Sequence, residues 1–208
     1  PKPTAQVSYS QAPGGDARMR EVANAWGERF TKDKTDARAA LNYAAALDQL
    51  GQQDTAVAVL EQAAMRNPQD RTLLASYGKA LNKVGRSDQA LQVLSKADSP
   101  EAPDWKVLSA KGVSLDQMGS HDQAQALYER ALKVAPNEPR ILSNYGLSLA
   151  LTKDLERAEA MLRRATQLSD DPRVWQNLAL VLGLQGRNEE AERIAARRRP
   201  GGTAATSG

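Results

Sequence analysis

Few residues in this chain could carry chemistry, and none has the company that chemistry requires. The only histidine, His121, is the one side chain whose charge normally changes near neutral pH, and a catalytic imidazole needs an orienting partner. It is expected in a turn between two helices, where a lone His reads as exposed polar filler. With no cysteine there can be no disulfide, thiolate metal site or Cys nucleophile. One His without Cys also leaves no metal-ligand spacing. No glycine precedes a Lys-Ser or Lys-Thr pair, so a phosphate loop is absent. Glu189, Glu190 and Glu192 fall at a predicted helix start, where the macrodipole favours carboxylates without any acid–base role. Arg197, Arg198 and Arg199 fall at the following helix end, which favours cations for the same reason. The sequence therefore predicts no catalytic residue, no metal and no cofactor, and a protein that works by binding.

Composition narrows the class of partner. The 208 residues carry a net charge of +3, with Lys and Arg interleaved among Asp and Glu throughout. Nucleic-acid binders gather such residues on one face, so no nucleic-acid partner is expected. Aromatic residues make up 4% of the chain, which suits packed helices better than a sheet. No apolar run approaches the roughly 18 residues of a membrane-spanning helix. The first residue is Pro1, so a targeting segment is expected to have been removed.

The elements that position everything else come from an internal repeat. Alignment on segments of the form Gly-x6-Gly gives units starting at Ala37, Arg71, Trp105 and Pro139, a spacing of 34 residues, with a fifth near Pro172. That is the period of tetratricopeptide repeats. Position 8, where two helices cross, holds Ala44, Gly78, Gly112, Gly146 and Ala179. Position 20, its counterpart on the second helix, holds Ala56, Ala90, Ala124, Ala158 and Ala191. Position 27 is Ala63, Ala97, Ala131 and Ala165; position 11 is Leu in every unit; position 24 is Leu60, Leu94, Tyr128 and Leu162. The predicted fold class is all-α, a right-handed superhelix (α-solenoid) of about five such hairpins plus an N-terminal capping helix.

Punctuation fits the same frame. Gly51, Gly85, Gly119 and Gly186 stand where a left-handed C-cap is needed, and Lys153 replaces Gly in the fourth unit, a less comfortable cap. Ser87 and Asp154 are predicted N-caps of second helices. Pro68, Pro136 and Pro172 mark junctions between units. Met19, Val22, Ala23, Trp26 and Phe30 share one face of the expected capping helix, with Thr31 to Asp36 as the turn after it. Residues 1–15 read as a flexible tether, 16–199 as the repeat domain and 200–208 as a disordered tail.

In such arrays the first helices line the ligand groove, through positions 2, 5, 6, 9, 12 and 13. In the first two units these are mostly polar: Arg38, Asn42, Asp48, Gln49, Thr72, Ser76, Lys79, Asn82 and Lys83. In the last two, Leu147, Ala150, Leu151, Leu180 and Leu184 stand beside Arg140, Asn144, Arg173 and Asn177. The predicted partner-binding residues are Asn144, Leu147, Leu151, Arg173, Asn177, Leu180 and Leu184, suited to a peptide with an apolar anchor. The competing expectation is that the chain's own end covers these leucines. The Lys/Asn pair at positions 5 and 9 that clamps chaperone tails is missing: the candidates are Leu41/Ala45, Ala75/Lys79 and Ser109/Val113.

Particular wording goes beyond the repeat. Asp104–Trp105 followed by Leu108–Gly112 and Leu115–Gly119, the run Leu142–Ser148, and above all Asp171–Gly186 resemble the TadD family of tight-adherence (Flp) pilus assembly proteins. The resemblance covers roughly residues 37–196 and is strongest in the last two repeats. It implies a tetratricopeptide lipoprotein on the periplasmic face of the outer membrane, with a pilotin-like role. Its implied partners are other pilus components, the outer-membrane secretin foremost, with membrane contact only through a lipid anchor. The family's lipid-bearing Cys has no counterpart here and is expected upstream of Pro1. The alternatives are a general repeat adaptor with an unrelated client, or a regulatory repeat domain of a larger protein.

Overall fold

A computed structural model of the chain describes residues 13–196. Among the described residues there are eleven α-helices and no strand. Helix α1 (Pro13–Lys32) is followed by ten shorter helices: α2 (Ala37–Gln49), α3 (Gln53–Arg66), α4 (Arg71–Lys83), α5 (Ser87–Ala97), α6 (Trp105–Gln117), α7 (His121–Val134), α8 (Pro139–Leu151), α9 (Leu155–Leu168), α10 (Pro172–Leu184) and α11 (Asn188–Ala196). The first helices start 34 residues apart at Ala37, Arg71, Trp105 and Pro139, and the fifth starts one residue early at Pro172. The chain divides into two compact units, one ending at Arg86 and the other beginning at Ser87.

Each first helix starts and stops by the same device. An acidic side chain precedes it and accepts a backbone N–H of the first turn: Asp36 from Ala39, Asp70 from Leu73, Asp104 from Lys106, Glu138 from Arg140 and Asp171 from Arg173. A carboxylate there satisfies an orphan donor and complements the helix dipole. At the other end Gly51, Gly85, Gly119 and Gly186 take φ of 74°, 75°, 79° and 80°. The residue after each donates its N–H back to the position 11 leucine carbonyl, as Gln52 does to Leu47 at 2.9 Å and Arg187 to Leu182 at 2.9 Å. Lys153 is forced into the same geometry at φ 66°, the one non-glycine residue among those described with positive φ. Asp154 then caps α9 as expected, whereas Ser87 is already the first residue of α5. The Ser87 hydroxyl donates to Gln117 Oε1 instead of capping.

In the first unit α1 packs on α2, α2 on α3 and α3 on α4. Helix α1 buries Ala23 and Phe30, while Val22 is exposed, so the buried face is narrower than the sequence suggests. The approach of α1 to α2 is set by Gly27: a Cβ there would lie 3.0 Å from the Tyr43 ring. Helix α1 runs on to Lys32, leaving Asp33–Asp36 as the turn.

In the second unit α6 packs on α7 and α8 on α9, and the glycine at position 8 meets the side chain at position 24 of the second helix. A Cβ on Gly112 would stand 2.6 Å from the Tyr128 ring, and one on Gly146 2.7 Å from Leu162 Cγ and 3.1 Å from the Ala158 carbonyl oxygen. Ala124, Ala158, Leu149 and Leu162 are fully buried in the core these pairs enclose. The last pair is looser. Ala179 and Ala191 are half-buried, α11 has no buried side chain, and Ala195 is exposed at position 24. Helix α11 is held by half-buried Ala191 and Ile194 and by a closed ring of charges. Arg163 reaches Glu159 (2.8 Å) and Glu190 (2.7 Å), and Arg187 reaches the same two carboxylates. Hydrogen bonds from both arginines hold the Glu190 carboxyl below the ordinary range.

Lys153→Gly is expected to stabilise the protein by about 0.5–1 kcal/mol: relief of the left-handed strain exceeds the extra flexibility of an unfolded glycine. It should appear as a higher urea midpoint at unchanged slope; a lower midpoint refutes the strained cap. Gly112→Ala and Gly183→Ala should act in opposite directions. Gly183 has no heavy atom within 4 Å of its would-be Cβ, so alanine there should stabilise α10 by up to about 1 kcal/mol. At Gly112 the overpacking cost of roughly 1–3 kcal/mol outweighs that gain. Equal signs in thermal melts would contradict the close-approach account.

Candidate protein-binding face

The second unit places α6, α8 and α10 side by side, and one face of each is turned away from the second helices. Position 6 of one unit meets position 5 of the unit before it on this face. Asn144 Nδ2 donates to Ser109 Oγ (3.2 Å) and Asn177 Nδ2 to Ser143 Oγ (2.9 Å). Two of the predicted partner-binding residues therefore each commit an amide N–H to a rung between first helices. Those rungs register the face. The spacing of Asn144 and Asn177, with a Ser one position earlier in each preceding unit, was visible in the sequence but had no evident meaning there.

The leucines divide. Leu151, Leu180 and Leu184 are 59%, 54% and 57% exposed, and Leu147 is half-buried. No described residue covers the first three, so they are not core. Residues 197–208, which include the Arg run expected to end α11, lie outside the described residues, as do residues 1–12. Helix α11 itself does not seal the leucine row.

At the opposite end of the face stand Lys106, Arg140 and Arg173, all exposed. Arg140 Nε binds Glu138 at 2.7 Å, and its guanidinium lies 4.7 Å from the centroid of the Trp105 ring. Arg173 binds Asp171 through Nε and a terminal amino group, the latter at 2.6 Å. The Arg173 side chain and its backbone N–H hold the Asp171 carboxyl below the ordinary range. At Glu138 burial pushes upward, but the bonds from Arg140 prevail and the net shift is downward. The caps thus keep their charge at neutral pH, and what they stabilise is lost only as pH falls through these lowered values.

In the first unit the corresponding positions are more occupied than expected: Asn82 is buried, and Asn42 and Asp48 are half-buried. Lys83 and Asp48 form an ion pair at 2.5 Å.

His121 is not turn filler. It is the first residue of α7, and its Nδ1 lies 3.0 Å from Asp116 Oδ1. Asp116 also accepts from the Ser148 hydroxyl (2.7 Å) and the Tyr128 hydroxyl (2.9 Å). Burial, with Asp116 beside it, pushes the Tyr128 phenol well above its ordinary value. Ser148 is fully buried, so this cluster presents no accessible nucleophile and reads as a structural knot tying α6 to α7 and α8. The sequence does not reveal it, since its members are spread over 32 residues.

Tetratricopeptide-repeat family models match residues 13–98, 109–172 and 172–197. The chain belongs to the tetratricopeptide-repeat proteins, helical scaffolds that bind other proteins, and none of these family matches is catalytic. No curated protein matches the sequence. A thermophilic tetratricopeptide-repeat protein of Thermus thermophilus superposes with a TM-score of 0.73 at 25% identity, over 79% of this chain and 92% of that one. PilW, a type IV pilus biogenesis factor, gives 0.72 at 18% identity over 88% and 84%. PilF of Pseudomonas aeruginosa gives 0.66 at 16% over 89% and 86%. These likenesses establish the fold, an α-solenoid. No described helix is long and apolar enough to cross a membrane.

Serine at Leu151, Leu180 or Leu184 should change stability by no more than about 0.5 kcal/mol, as for other exposed positions. Asn177→Ala, which breaks a rung, should cost about 1 kcal/mol. Chemical denaturation of the four variants checks this; a loss above about 2 kcal/mol for the leucine variants would return them to the core.

Proposed function

We propose that this protein is a scaffold for assembly of the tight-adherence (Flp) type IVb pilus, and that its first-helix face in α8 and α10 holds another pilus component, the outer-membrane secretin. The observation that carries the reading is the uncovered leucine row, Leu151, Leu180 and Leu184, on first helices held in register by Asn–Ser hydrogen bonds. The row falls in the two repeats whose wording most resembles the TadD family. Similar folds among pilus proteins, PilW and PilF, are in keeping with it. On this proposal the chain is a pilotin-like lipoprotein on the periplasmic side of the outer membrane, anchored by a lipidated Cys N-terminal to Pro1. Covering three leucines would contribute roughly 1.5–3 kcal/mol each before the costs of association.

The test is affinity capture of the tagged, full-length protein from cells carrying a tight-adherence locus, in parallel with Leu151→Ser/Leu180→Ser. The wild type should retain the secretin and the variant should lose it while keeping its melting temperature. Recovery of no pilus component, or equal secretin on both, refutes the proposal. Pelleting with isolated cell wall would point to peptidoglycan as the ligand.

A further inference from the structure

Building on the assignment of this face to protein binding, we infer that its occupant is an acidic amphipathic helix lying across α6, α8 and α10. Its carboxylates run along one edge and its aliphatic side chains along the other. The face has three parallel rows. Lys106, Arg140 and Arg173 hold position 2 of three successive units, and Leu147, Leu151, Leu180 and Leu184 hold positions 9 and 13 of the last two. Between them run the Asn–Ser rungs, in which one amide N–H of each Asn is bonded to the neighbouring first helix.

The dimensions favour a helix. Basic and leucine rows are separated by seven to eleven helical residues, about 10–16 Å, close to the 10–12 Å width of a helix with its side chains. Neighbouring packed helices lie about 8–10 Å apart. A heptad advances about 10.5 Å and so returns the same edge to each first helix in turn. An extended strand returns to one edge every ~6.6 Å and falls out of step.

Charge selects the acidic edge. The Arg140 and Arg173 side chains are 61% and 81% exposed, against 19% and 30% for their partners Glu138 and Asp171. Each carboxylate binds both a backbone N–H and its own arginine, and the guanidinium is the more exposed partner of each pair. The terminal amino groups of Arg140 make no hydrogen bond among the described residues, and the Trp105 ring holds that side chain in place. Fixed guanidinium groups recognise carboxylates at little entropic cost. Residues 197–208 fit poorly as the occupant: they bring three arginines and, Pro200 aside, no apolar side chain larger than alanine.

The test uses two designed helical peptides of about three heptads, one with Glu opposite a Leu edge and one with Lys in place of Glu. Fluorescence anisotropy is read on the whole protein. The Glu peptide should bind at least about tenfold more tightly than the Lys peptide, and Arg140→Glu/Arg173→Glu should reverse that order, which an unfolded variant could not do. Leu180→Ser/Leu184→Ser should weaken the Glu peptide by at least about tenfold. Equal affinity for both peptides, no binding of either, or no reversal overturns the inference. If the leucine row still captures the secretin in that case, the binding-face assignment survives alone; if the leucine variants also capture it undiminished, both fall. A dimer of the free protein that Leu180→Ser/Leu184→Ser dissolves in ultracentrifugation would assign the face to a second copy.

Discussion

The structure rests on how closely two helices can approach inside each repeat. Where Gly112 faces Tyr128 and Gly146 faces Leu162 there is no room for one more carbon without displacing a neighbour. That contact lets Leu149 and Leu162 share a core only two helices deep, in which most buried hydrophobic positions are alanine or leucine. Aromatic residues are scarce for the same reason. Tyr128, which replaces the usual leucine at position 24, is accommodated because its ring fills the space over Gly112 and its hydroxyl reaches Asp116.

From this contact follows the division of labour between the two helices of a repeat. The second helices and the inward sides of the first consume the small and apolar residues. The outward side of each first helix is left to vary, constrained only by a cap at either end. The acidic N-cap pins an arginine beside it at Glu138–Arg140 and Asp171–Arg173, and a left-handed residue closes the far end next to the leucines. Rungs such as Asn177–Ser143 lock successive faces in register. A polar end and a hydrogen-bonded middle are thereby repeated from one helix to the next, with an apolar end in α8 and α10.

The architecture was legible because it is periodic: four first helices begin where the 34-residue frame places them and the fifth one residue early, and the strained Lys153 cap was visible as a missing glycine. The acidic N-caps were equally periodic and could have been read as Asp36, Asp70, Asp104, Glu138 and Asp171. What escaped the sequence was the pairing of side chains between separate helices. His121 seemed solitary because its partner, Asp116, sits on the preceding helix across the hairpin turn, and Ser148 comes from the next repeat. Asn144 and Asn177 looked available for a partner because their hydroxyl acceptors lie 35 and 34 residues away. Val22 has the right spacing for the buried side of α1, yet α1 meets α2 along a stripe centred on Gly27 that leaves it outside.

The ring formed by Glu159, Arg163, Arg187 and Glu190 gives the C-terminal rod a fastening unlike any other in its unit. Elsewhere a helix is retained by oil, which is indifferent to electrolyte; α11 contributes no fully sequestered side chain and adds to the packing of Ala191 and Ile194 four ionised groups near solvent. Counter-ions compete for such groups and leave the interior untouched. Brine should therefore loosen this end selectively, so that the array peels from its last rod inward while its middle stays wound.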